Sequence, residues 1–214
     1  MQPFLVEALI MIQKPQAFFA DAPTILMRDA LGQFLGATQD GLIEYGYEDA
    51  VALAGHSCPT VAVSWLMTRA ALRHLYGDSV PERGGVSVAW RDARTSGVTG
   101  VMANVVGLVT GACDESGFKG LGGRFQRSGL LSFGVPMEGE IRFTRLDSGA
   151  SIETSSNPSK VPMPGEVRML MSRCLSEQAS PAEFRAFGEA WQTRVRKLLL
   201  EYADDPEVII LHTK

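Results

Sequence analysis

Two residues of this chain combine donor types and spacing suited to metal chemistry. His56 and Cys58 stand two apart in the run Gly55-His56-Ser57-Cys58-Pro59. Imidazole and thiolate are ligands for zinc, copper, nickel and iron. In an extended segment, side chains at i and i+2 point the same way, so both donors can reach one ion. Pro59 suits the first turn of a helix, where its missing N–H leaves no gap, and this makes Cys58 the expected N-cap. Backbone N–H groups and the positive end of the helix dipole would then face the sulfur, an environment that favours thiolate. Thiolate binds metal and also attacks electrophiles, so Cys58 is both a candidate ligand and a candidate catalytic nucleophile, with His56 as its base. A cysteine at a helix start is also often a small buried residue, and a histidine beside glycine a turn residue. The residues alone leave both readings open.

Other groups are weaker candidates. Cys113 follows Thr110-Gly111-Ala112, and Lys119 lies in a glycine-dense loop from Gly111 to Gly123. Such a loop can wrap an anion with backbone N–H groups, although loop glycines more often permit tight turns. Lys119-Gly120 does not match the phosphate-loop pattern, and no Gly-x-Ser-x-Gly hydrolase element occurs. Asn104 sits inside an apolar run, where a buried amide needs partners; it could cap backbone, orient a ligand or bind substrate. Cys174 reads as a core residue and His74 as a helix-end residue favoured by the dipole.

These groups need elements to hold them. Residues 24 to 35 carry Ile25, Leu26, Ala30, Leu31, Phe34 and Leu35 at helical spacing, which predicts a helix capped by Thr24 and stopped at Gly36. A second short helix is expected from Tyr47 to Leu53. The run from Pro59 to Tyr76 is apolar almost all round and predicts a central buried helix ended by Gly77. The period then changes. Val86, Val88 and Trp90 alternate as in a strand. Residues 101 to 113 form a valine-rich run that fits a buried strand or a buried helix equally. Residues 130 to 134 and 140 to 147 read as strands, with a turn around Pro136 to Gly139, and residues 151 to 160 as a polar turn region. Residues 161 to 174 return to a helix. Ser180, Pro181 and Glu183 form a capping box that opens the last helix, and the terminal Val-Ile-Ile-Leu-His is an expected edge strand. The order of elements predicts one α+β domain over residues 1 to 214: a core from about 24 to 150, with a mostly antiparallel sheet packed by the central helix, and a C-terminal helical extension from about 165 to 204.

The bulk composition narrows partners. The formal net charge is -4 and the pI about 5.4, so there is no basic footprint for nucleic acid or an anionic membrane. Three widely separated cysteines argue for a reducing, cytoplasmic setting over a disulfide framework. The apolar stretch from Phe4 to Ile12 is interrupted by Glu7 and is far shorter than the ~20 apolar residues that span a bilayer; it reads as a helix docked on the fold or on a partner.

The motif around His56 resembles the Gly-His-x-Cys-Pro element of the FmdE family, named for the E component of formylmethanofuran dehydrogenase. Further along, that family carries Asp-x-x-Gln, then Thr-Gly-Cys-Thr, then Gly-Lys-Gly. This chain has, in the same order, Asn104-Val105-Val106-Gly107, Thr110-Gly111-Ala112-Cys113 and Gly117-Phe118-Lys119-Gly120. The resemblance runs from about residue 25 to about residue 145, sharpest at residues 55 to 59. It implies an α+β homodimer holding a zinc-like metal (nickel or iron being alternatives) through His56 and Cys58, with help from the second motif and a small-molecule ligand. Asn104 and Gly107 replace the family's Asp and Gln, and Ala112 stands where the family has Cys. If Cys113 serves instead, the ligands are His, Cys and Cys with an open position, as in catalytic zinc sites. The C-terminal zinc finger of some members has no counterpart, since no Cys-x-x-Cys occurs. Metal-dependent binding or catalysis, a carrier of metal or metallocofactor without turnover, and a metal-free cysteine nucleophile all stay open on this reading.

Overall fold

The computed structural model describes residues 16 to 213; the apolar segment from Phe4 to Ile12 lies outside them. Among the described residues the fold is α+β, with six α-helices, a two-stranded sheet and a five-stranded mixed sheet. The smaller sheet pairs β1 (Ile25–Arg28) with β2 (Leu42–Tyr45) antiparallel. The larger sheet contains β3 (Val86–Trp90), β4 (Leu131–Ser132), β5 (Ile141–Arg145), β6 (Ser151–Ser156) and β7 (Ile209–His212). Their spatial order is β4-β3-β5-β6-β7, with the β3–β4 pair parallel and the rest antiparallel. The C-terminal Ile209–His212 is an edge strand, as its sequence suggests.

The helices are α1 (Ala30–Phe34), α2 (Tyr47–Ala54), α3 (Pro59–Tyr76), α4 (Thr99–Thr110), α5 (Gly165–Leu175) and α6 (Pro181–Leu200). Helix α3 is the centre of the molecule. It packs on α4 and α6 and across β5, β6 and β7, with Val61, Ala62, Trp65, Leu66 and Met67 fully enclosed. The sheet answers with Val86, Val88, Ile141 and Phe143, and α6 with Val195, Leu198 and Leu199. Burying such a side chain stabilises by about 1.5–3 kcal/mol, so this layer dominates the driving force. The two polar residues inside α3 satisfy themselves by bonding back one turn: Ser64 Oγ donates to Thr60 O and Thr68 Oγ1 to Ser64 O, both at 2.7 Å. The capping box at Ser180 is present, with Glu183 N donating to Ser180 Oγ and Ser180 N to Glu183.

Two expectations meet a different outcome, and one open between strand and helix is decided. Residues 24 to 35 are not one helix. Ile25 and Met27 point inward with Leu26 outward, the period-2 pattern of a strand. Asp29 then ends the strand and caps the five-residue α1, its Oδ1 accepting from Leu31 N at 2.9 Å and Gly32 N at 3.0 Å. The supposed helical face does not exist, because Phe34 and Leu35 are each 63% exposed. The polar region 151 to 160 is not a turn either. Its first half is β6, an interior strand, whose Glu153 is neutralised by Arg142 at 2.7 Å and accepts Gly139 N at 2.8 Å. The valine-rich run 101 to 113, open between strand and helix, is helix α4 through Thr110.

Candidate functional site

The His56–Pro59 element joins α2 to α3. Gly55 closes α2 in the left-handed region, φ 74°, with its N–H on Val51 O at 2.8 Å; that conformation is cheap for glycine alone. Ser57 turns inward, and its Oγ lies 3.1 Å from the buried Tyr47 hydroxyl. The Ser57 carbonyl accepts two bonds from α6, Trp191 Nε1 at 3.2 Å and Gln192 Nε2 at 3.1 Å. The C-terminal helix therefore clamps the motif by its backbone. Burial pushes the Tyr47 hydroxyl well above its ordinary range, against the bond from Ser57, so it stays a neutral phenol.

The two donors flank this clamped residue. His56 is exposed, and its Nδ1 lies 3.0 Å from Ala54 O. A carbonyl oxygen only accepts, so Nδ1 carries a proton, and the lone pair that the ring can offer is the one on Nε2. Metal-binding histidines are commonly oriented in this way, the far ring nitrogen donating to a carbonyl. Cys58 is the N-cap of α3 with extended backbone, φ -150° and ψ 168°, and its side chain makes no capping bond. Its sulfur is partly buried against the core. Cys58 and His56 thus stand on either side of a residue that Tyr47 and α6 hold in place.

Cys113 occupies a different neighbourhood. It follows the left-handed Gly111 that ends α4, and its Sγ lies 3.7 Å from Gly111 O. Its N–H donates to Arg127 O, and its carbonyl takes Leu130 N and Leu131 N. The glycine loop folds closely over it: a Cβ at Gly117 would lie 2.4 Å from Cys113 Cβ. Among the described residues, no three His, Cys, Asp or Glu side chains gather where they could hold a metal. His56, Cys58 and Cys113 are therefore not one ligand set within the chain. Asn104 is not buried: the helical period turns Met102, Ala103, Val105 and Val106 inward and leaves Asn104 on the exposed side of α4. Lys119 is exposed as well. The N–H groups of Gly117, Leu121, Arg124, Arg127, Ser128 and Gly129 are taken by carbonyls of the same loop, so the loop is stitched to itself.

The structure also assembles a cluster that the one-dimensional reading misses. Asp29, at the junction of β1 and α1, is 5% exposed, and Arg127 from the glycine loop 6%. Asp29 Oδ1 accepts Arg127 Nη2 at 2.7 Å and Oδ2 accepts Arg83 Nη1 at 3.0 Å. Arg83 reaches back to Leu108 O through Nη2 at 3.2 Å and Nε at 3.4 Å. Backbone bonds hold the pieces: Arg83 N donates to Arg28 O and Gly84 N to Thr110 O. Gly84 has φ 82°, and a Cβ there would fall 1.6 Å from Arg127 Nη1, so glycine is required for the guanidinium to fit. Burial alone would raise the Asp29 carboxyl, but the Gly32 N–H and both guanidiniums outweigh it and hold the carboxyl below its usual range. Burial pulls Arg127 down, with Asp29 opposing, and pushes the nearby Glu82 up, with Arg28 opposing. Nothing periodic marks these residues in sequence; the signal within reach was Asp29 as a helix cap.

No protein-family model matches this chain, and no curated protein is similar to it.

Proposed function

We propose that the protein is an FmdE-like metal-binding protein that takes one zinc-like ion, nickel or iron being alternatives, on His56 Nε2 and Cys58 Sγ. The observation that carries this reading is the His56 ring contact: Nδ1 lies 3.0 Å from Ala54 O, which directs Nε2 to serve as the ligand atom two residues from a thiol that makes no capping bond. The chain supplies two donors from a clamped segment, so water, a small molecule or a second copy of the chain completes the shell, and a homodimer fits that need. Bound there, such an ion would supply Lewis acidity toward a carbonyl- or thiol-bearing ligand. All three cysteines are free among the described residues, which suits a cytoplasmic protein. No helix among them is long and apolar enough to cross a membrane.

Elemental analysis of protein purified without added metal tests the reading. Wild type should carry about one zinc-like ion per chain, as expected for one site. Cys58→Ser and His56→Ala should each lose it. Cys113→Ser should retain it, because Cys113 lies elsewhere. Wild type that holds no zinc-like ion, even after zinc is supplied and excess dialysed away, would sink the proposal and move the assignment to a bare thiol, for which fast alkylation of Cys58 is the readout. An ion retained through dialysis speaks for a resident metal, and ready exchange for a carrier.

A further inference from the structure

We propose that the cleft over Arg127 is a binding site for a small oxyanion-bearing organic molecule, its carboxylate or phosphate oxygens received by the Arg127 and Arg83 guanidiniums and its apolar body lying against Phe125, Leu130 and Leu146. This site is independent of the His56–Cys58 pair.

Arg127 is short of acceptors. A guanidinium carries five N–H donors and no acceptor. Arg127 is almost wholly buried, yet among the described residues its side chain has an acceptor only for Nη2, on Asp29 Oδ1. Its Nε is enclosed, without a partner among the described residues, so a ligand in the cleft would bond through the Nη groups. Buried charges are normally paired and hydrogen-bonded, so Arg127 is underemployed. The local charge is unbalanced in the same sense. Asp29 is one carboxylate shared between two guanidiniums. Glu82, on the same cleft, lies 3.6 Å from Arg28. With Arg28 included, three guanidiniums meet two carboxylates, and Glu82 also faces Arg127.

The shape of the cleft fits such a ligand. Arg83 and Arg127 line a space of about 460 Å³ together with Ala30, Glu82, Phe125, Leu130 and Leu146, a size suited to a small molecule. Phe125 is held with positive φ, 64°, and its ring lies 5.3 Å from Phe34. Non-glycine residues in that conformation cluster at ligand sites. A few polar groups set among apolar walls is the usual composition of a ligand pocket, and planar bidentate oxyanions are what arginine recognises best.

The full chain is titrated with benzoate and with inorganic phosphate, followed by the arginine Nε–H signals in proton–nitrogen spectra and by thermal unfolding. Benzoate should saturate, move the Arg127 Nε–H signal and raise Tm; phosphate should do so more weakly, lacking an apolar body. Arg127→Lys should weaken benzoate at least about tenfold. Where that variant does not fold, Leu146→Glu carries the test. Leu146 is 53% exposed, so the added charge should leave Tm close to wild type while weakening benzoate by about tenfold through like-charge repulsion. Wild type that binds neither probe, or a folded Leu146→Glu that binds benzoate as well as wild type, would overturn the proposal.

Discussion

Replacing Asp29 by alanine should lower the unfolding free energy by about 3–5 kcal/mol, the cost of stripping the partner from a buried ion pair. The side chain is 7% exposed and faces two guanidiniums, of which that of Arg127 is equally enclosed. Without the carboxylate, Arg127 keeps its charge inside the fold with no anion beside it. The same oxygen also caps α1 through Leu31 N and Gly32 N, so part of the loss is the cap, typically about 1 kcal/mol. Urea denaturation followed by tryptophan fluorescence measures the difference. A loss below about 1.5 kcal/mol, no more than a cap alone costs, would mean that water already screens the cluster.

The same residue sets part of the acid response. Its carboxyl is held below the ordinary range in the folded state, burial working against and the Gly32 N–H and both arginines working for the ionised form. A group with a depressed folded pKa contributes stability that is fully present above its unfolded pKa, about 3.9 for aspartate. That contribution fades as pH falls from there through the folded value. Asp29→Asn cannot titrate, so its unfolding free energy should fall less steeply than that of wild type below about pH 4. Equal slopes in the two proteins would show that Asp29 is not held ionised by the cluster. Glu153, lowered by the Gly139 N–H and Arg142, contributes in the same direction to both, and the comparison cancels it.

What was legible in the sequence follows from how local each signal is. Helix α3 announced itself because one proline, one long apolar run and one glycine lie in register along the chain, and the structure keeps Pro59 at its first position and Gly77 at its C-cap. The capping box at Ser180 is equally local. The segment from Thr24 to Leu35 misled because apolar residues at helical spacing also occur when a short strand abuts a short helix. The cap that separates the two, Asp29, was hidden inside the pattern. Strand β6 was illegible for a different reason. Its Glu153 is satisfied by Arg142 and Gly139 and its backbone by the neighbouring strands, and that compensation comes from residues distant in sequence. The same limit applies to the sites. His56 and Cys58 share one pentapeptide, so the proposal that they act together comes straight from the sequence. The Asp29–Arg83–Arg127 cluster draws on three segments separated by 54 and 98 positions from Asp29, and no spacing rule connects them.

Trp65→Ala should cost about 3–5 kcal/mol, the range for truncating a fully enclosed large aromatic. Trp65 is 0% exposed and closes an aromatic chain: its ring lies 6.3 Å from Tyr47 and the Tyr47 ring 5.3 Å from Phe19, both edge-on. Its Nε1 donates to Pro23 O at 2.9 Å, which pins the segment entering β1. Trp65→Phe separates the two contributions. It keeps most of the packing and loses the bond, so it should cost less, about 1–3 kcal/mol for a carbonyl left without its donor plus a small cavity. The consequence reaches the motif, because Tyr47 joins this aromatic chain to the Ser57 hydroxyl. When Trp65 is truncated, Tyr47 loses its wall and the loop holding His56 and Cys58 keeps only the clamp from α6. In folded Trp65→Ala, at a temperature well below its Tm, Cys58 should therefore alkylate several-fold faster than in wild type, about fivefold for each 1 kcal/mol lost from local opening. Unchanged labelling with the stability loss intact would show that Trp191 and Gln192 alone hold the motif, and Trp191→Leu would then be the variant that frees it.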